Sequence, residues 1–127
     1  MVSRKTTPRQ KAPAGNRANP VTGCPLTAAF AAIGGKWKLI IIYWLAESPR
    51  HFAALRRLMD GISQKVLTQQ LRELIADGIV GRDAKGAVPA PVVYSLTEYG
   101  RSLLPLVESV RAWGRGHIEK LQEEDGG

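Results

Sequence analysis

One cysteine and two histidines are all that this sequence offers to a metal site or a nucleophilic dyad. A single thiol, Cys24, closes no internal disulfide and cannot complete a structural zinc site. His51 and His117 lie far apart in the chain, and Ser63 has no base beside it. No catalytic constellation, metal or cofactor is therefore expected, and the chain reads as a non-enzyme. Apolar runs are also short. The longest, Leu39 to Ala46, falls well below the ~20 residues of a membrane span and suits a buried helix instead. The start of the chain lacks the apolar stretch of a secretory signal. With one cysteine, this makes a reducing, cytoplasmic setting the expectation, with no membrane partner. Acidic residues are missing from the first 23 positions, where Arg4, Lys5, Arg9, Lys11 and Arg17 stand among prolines and small residues. Hydrophobic periodicity is absent there too, so residues 1–22 read as a disordered basic arm.

The remaining chain holds enough apolar residues for one compact domain of roughly 100 residues without staples. The formal charge of +7 points to a polyanionic partner. Most of that excess lies in the arm, so the body must gather its basic groups on one face to hold a polyanion.

The run Gly61 to Leu74 is the most informative part. Ser63 is placed to cap a helix, with Ile62 before it and Leu67 after it as a hydrophobic staple. Leu67, Leu71, Leu74 and Ile75 repeat as a core-facing stripe. Gln64, Lys65, Thr68, Gln69 and Arg72 fall toward the opposite side. Such a face is either an ordinary solvated surface or a DNA-reading one. Glutamine matches adenine, arginine or lysine matches guanine, and the threonine methyl matches thymine. Asp77-Gly78 supplies the stop, giving a recognition helix of about 63–77. Before it, Phe52, Leu55, Leu58 and Met59 mark a shorter helix whose Arg56 and Arg57 are candidate phosphate contacts. After it, Ile79 to Asp83 and Val92 to Leu96 read as two strands around a Gly/Pro/Ala-rich tip. Helix, turn, capped helix and hairpin in that order predict a winged helix-turn-helix, mainly α with a small β-hairpin wing.

The flanking segments read as helices. Pro25 opens a short one with Leu26, Phe30 and Ile33 on its apolar face. Gly34-Gly35 breaks it, for close helix packing. Lys36 to Leu45 forms the next, with Trp37, Ile40, Ile41, Trp44 and Leu45 giving most of the core. Thr97 caps a last helix whose stripe runs through Leu103, Leu106, Val107, Val110, Trp113, His117 and Leu121, kinked at Pro105. That stripe exceeds what a domain this small can cover, so the chain is expected to dimerise through its terminal helices. Leu26, Phe30, Leu106, Val110, Trp113 and His117 are the candidate interface. The domain spans residues 23–121 and leaves 122–127 as a flexible tail. Asp60, Glu73 and Asp77 read as solvated charges or as partners of a helix dipole.

Several motifs, in this order and spacing, resemble the HxlR family of bacterial transcriptional regulators, small relatives of the MarR-type winged helices. They are Cys24-Pro25-Leu26, Gly34-Gly35-Lys36-Trp37-Lys38, Leu55-Arg56-Arg57-Leu58, Gly61-Ile62-Ser63-Gln64, Leu71-Arg72-Glu73-Leu74, Asp77-Gly78 and Tyr94-Ser95-Leu96-Thr97-Glu98. The resemblance covers about residues 24–118 and implies a homodimeric regulator of a double-stranded DNA operator. It also implies a sensing role for Cys24, since several members detect electrophiles, aldehydes or oxidants through a cysteine that matches it. The alternative for Cys24 is a small buried hydrophobe at the dimer interface. The wing departs from the family pattern: Pro91 stands where a basic residue usually precedes the second strand. Arg82 and Lys85 remain as candidate wing contacts. Two other functions stay open on the residues alone. One is a sequence-neutral DNA binder led by the arm, and the other is a protein-docking module using the polar helix face.

Overall fold

A computed structural model describes residues 23–84 and 91–126. The basic arm and Lys85 lie outside the described residues. The first helix, α1 (Pro25–Ile33), opens with Cys24 as N-cap and proline in its first turn. It ends because Gly34 gives its N–H to Phe30 O at 2.8 Å, in a place where a Cβ would stand 2.5 Å from that oxygen. Gly35 follows with φ 92°, in the left-handed region glycine tolerates. The glycine pair therefore turns the chain, which bends by 69° into α2 (Lys38–Glu47), and does not serve close packing between helices.

The helix α2 starts two residues later than expected, and its register differs. Lys38, Ile41, Ile42 and Leu45 are buried, whereas Ile40 is exposed. Trp37 and Trp44 pack only partly against the core. A strand the sequence did not reveal, β1 (Arg50–His51), follows at once. Next come α3 (Phe52–Leu58) and α4 (Gln64–Ala76), then β2 (Val80–Ala84) and β3 (Val92–Leu96). The sheet is antiparallel in the order β1-β3-β2, with Arg50 opposite Tyr94 and Arg82 also opposite Tyr94 on its other side. The wing is thus anchored to the body by a third strand.

Thr97 joins the wing to the C-terminal helices. Its Oγ1 accepts from Gly100 N at 2.9 Å and lies 2.6 Å from Gly78 O and 3.1 Å from Ile79 O, to which it can donate. It caps α5 (Glu98–Arg101), one short turn. The expected kink at Pro105 is absent, since the chain breaks at Ser102-Leu103 and α6 (Leu104–Gly126) begins there. Pro105 then sits in the first turn, where its missing N–H breaks no intrahelical bond. Helix α6 runs past Leu121 to Gly126, so the described part of the expected tail is helical.

The core gathers Ile41, Ile42 and Leu45 of α2, Leu55 of α3, Leu67, Leu71 and Leu74 of α4, Ile79 and Val80 at the start of the wing, and Val107 of α6. Burial of each such side chain contributes about 1.5–3 kcal/mol. Among the described residues no single helix is long and apolar enough to cross a membrane.

Candidate DNA-binding interface

Between α3 and α4 the chain turns in five residues, and backbone bonds close that turn. Met59 N donates to Arg56 O at 3.0 Å and Ile62 N to Met59 O at 3.2 Å, while Gly61 takes φ 89°. Arg56 adds a side-chain tie, its Nε donating to Ile62 O at 3.2 Å. Ser63 Oγ accepts from Val66 N at 3.0 Å, the cap its position foretold. Ile62 and Leu67 are both buried on either side of that cap, as a staple requires.

With Leu67, Leu71 and Leu74 turned inward, α4 presents Lys65, Gln69 and Arg72 to solvent as one row. Thr68 is half-buried at one margin of the row. Gln64 stands in the first turn beside an open groove of about 500 Å³ that Phe52, Arg56, Arg57, Asp60 and Gly61 also line. The two arginines of α3 and the start of α4 therefore meet in one concavity. Val66, in the first turn of α4, is an exposed apolar residue. Sequence reasoning passed over it because an isolated valine outside the leucine stripe carries no pattern. Arg82 is exposed on β2, some way from the helix row in sequence and on another element.

Glu73 is not a solvated charge. Its Oε1 lies 2.6 Å from Lys38 Nζ, and the two side chains keep only 15% and 5% of their surface exposed. Its Oε2 accepts from Gln69 Nε2 at 2.8 Å. The sequence held one signal of this pair. Lys38 occupies a core-facing position in step with Ile41, Ile42 and Leu45, where a charge needs a partner.

Helices α1 and α6 also leave large apolar groups in water. Leu26 and Phe30 are each 67% exposed and Trp113 is 70% exposed. Leu106, Val110 and Leu121 are exposed too, and so is Ile118, which lies outside the expected stripe. His117 stacks on Trp113, the ring centroids 4.9 Å apart. Cys24 is exposed at the start of α1. The Thr27 and Leu26 backbone N–H groups, with the Thr27 hydroxyl, hold its thiol below the ordinary cysteine value. No capping hydrogen bond to the sulfur is formed, so the effect is the pull of nearby donors on a thiolate.

Comparison with known proteins decides the family. The HxlR-like helix-turn-helix family matches residues 32–122. The chain belongs to that family. It is a transcriptional regulator with a winged helix-turn-helix domain. It is 45% identical over 100 residues to the HTH-type transcriptional regulator YybR of Bacillus subtilis, a match covering 79% of this chain and 80% of that one. Among solved structures, the redox regulator HypR in its reduced form is 43% identical, with a TM-score of 0.74, over 79% of this chain and 99% of that one. The reduced form of the regulator YodB from B. subtilis is 34% identical, with a TM-score of 0.63, over 72% and 91%.

Proposed function

We propose that this regulator binds a DNA operator sequence-specifically, as a homodimer, with α4 in the major groove. The observation that carries this reading is the outer row of α4. Lys65, Gln69 and Arg72 stand exposed on a helix whose inner face is locked by three leucines and whose first turn is capped. A helix held that rigidly can present side chains to base edges in fixed register. Arg56 and Arg57 from α3 supply phosphate contacts beside it, with Arg56 also holding the turn. The apolar faces of α1 and α6 form the dimer interface.

A response to oxidants or electrophiles at Cys24 is the second part of the proposal. It is supported by the exposed thiol with its lowered pKa and by similarity to HypR, a redox regulator. Treating wild type and Cys24→Ser with diamide tests it. Operator affinity should change in the wild type alone, and equal behaviour of the two proteins removes the sensing role.

The DNA reading is tested by selection from a random duplex pool, followed by salt titration of the enriched site and a scrambled one. Wild type should discriminate the two by ~10³ or more. Arg72→Ala should lose about 1–3 kcal/mol at the enriched site and relax preference at one position. Deleting residues 2–20 should weaken binding to both duplexes and shrink the salt slope by ~0.9 for each phosphate no longer neutralised. If only the deletion matters, a sequence-neutral binder replaces the regulator of a defined operator.

A further inference from the structure

Within the exposed row of α4, Gln69 has its side chain tied to another side chain. Its Nε2 donates to Glu73 Oε2 one helical turn on, at 2.8 Å. Glu73 is itself held from behind, with Lys38 Nζ 2.6 Å from its other oxygen. Lys38 is fixed in turn as the first residue of α2, on the buried stripe with Ile41, Ile42 and Leu45. A chain of contacts thus runs from the core to the outer surface of α4 and ends on a side-chain amide.

The chemistry of that chain is directional. Ion-paired with Lys38, Glu73 is a carboxylate, and a carboxylate only accepts hydrogen bonds. The Gln69 amide must therefore turn its NH2 group toward Glu73. A surface glutamine without such a partner rotates by half a turn at little cost and exchanges its donor and acceptor ends. Gln69 has that freedom removed, leaving its carbonyl oxygen and one N–H for whatever lies outside. In the major groove, adenine offers an N7 acceptor and an N6 donor, which accept and supply those two bonds.

We propose that the buried Lys38–Glu73 pair is a positioning device for base readout: it sets the orientation of the Gln69 amide and so selects adenine at the base pair Gln69 faces. This rests on the proposed DNA binding through α4. Gln69 is the contacting residue, while Glu73 and Lys38 act through it.

The test is selection from a random duplex pool with wild type, Gln69→Ala, Glu73→Gln and the double swap Lys38→Glu/Glu73→Lys, each checked for a cooperative thermal transition. Wild type should prefer adenine at one position by about 5- to 150-fold, the range of a bidentate contact. Gln69→Ala should lose that preference. Glu73→Gln leaves Lys38 an acceptor but presents Gln69 with an amide that either donates or accepts. It should melt cooperatively, bind DNA, and lose preference at that same position only. In the swap an ion pair remains, but the ammonium at position 73 only donates, so the Gln69 oxygen turns inward and adenine should cease to be favoured there. Adenine preference that survives Glu73→Gln, or returns in the folded swap, overturns the proposal. So does a Glu73→Gln protein that loses preference evenly across all positions, since that marks a merely structural pair. Should the swap fail to fold, Glu73→Gln decides alone. A wild-type protein that enriches no sequence overturns the DNA-binding reading itself, and this proposal with it.

Discussion

Gly100 stands where no other residue fits. A Cβ there would lie 2.2 Å from Ile79 O and 3.2 Å from Leu96 Cδ2, with the clash falling on backbone that cannot rotate away. The same carbonyl receives Thr97 N at 3.1 Å, so moving it opens the junction of β2, β3 and α5. Gly100→Ala should therefore destabilise the fold by ~1–3 kcal/mol, the usual cost of overpacking, as read by urea denaturation. Cys24 makes the complementary residue-scale prediction, in pH. Donors of Thr27 and Leu26 favour its thiolate in the folded chain and are scattered in the unfolded one. The folded pKa is the lower of the two, so this contribution to stability is present above the unfolded pKa and is lost as pH falls through the folded one. Alkylation by iodoacetamide across pH should accordingly rise at lower pH for the folded protein than for the same protein in guanidinium. Coincident profiles would show that the helix start does not act on the sulfur.

Among the elements, α4 depends most visibly on a single atom. Ser63 Oγ satisfies Val66 N, one of the four N–H groups a helix start leaves without an intrahelical partner. Ser63→Ala should cost about 1 kcal/mol, and amide hydrogen exchange should quicken first in the opening turn of α4. Uniform quickening across the whole domain would argue against a local cap. The same helix was legible in the sequence because cap, staple, leucine stripe and glycine stop all agree on its phase. Helix α2 was not legible in that detail. Its residues Leu39 to Leu45 are apolar on every side, so periodicity gives no phase, and Ile40 was expected in the place that Ile42 takes. Strand β1 is two polar residues long, too short for any alternation to register. The α5–α6 boundary was hidden because the apolar stripe begins only at the break, with Leu103, so no change of phase marks it, while Pro105 reads equally as a kink or as a first-turn residue. The Lys38–Glu73 pair joins positions on two different helices that no local pattern connects. Lys65, Gln69 and Arg72 were legible as a row, but the tie that orients Gln69 was not.

At the scale of the whole molecule, α1 and α6 call for a cover. A single copy of this domain leaves Leu26, Phe30, Val110 and Trp113 in water, although it buries its own core well. Large exposed apolar groups repeated along a helix mark an interaction surface. A second copy placing the same face against it would bury these groups reciprocally about a two-fold axis. It would also set two α4 helices at a fixed distance, so that half-sites should be spaced by roughly one DNA turn, ~34 Å, or a multiple of it. Val110→Glu isolates this effect. Position 110 already faces solvent in the single chain, so a carboxylate there leaves the core untouched and burdens only the contact between copies. Sedimentation equilibrium at micromolar concentration should give a dimer for the wild type and a monomer for Val110→Glu, with thermal transitions showing both folded. The monomer should bind a single half-site about as the wild type does, yet lose the gain that a second linked half-site provides. A wild-type protein that stays monomeric at that concentration would overturn the dimer. A dimer that survives Val110→Glu with operator affinity unchanged would move the interface away from α6.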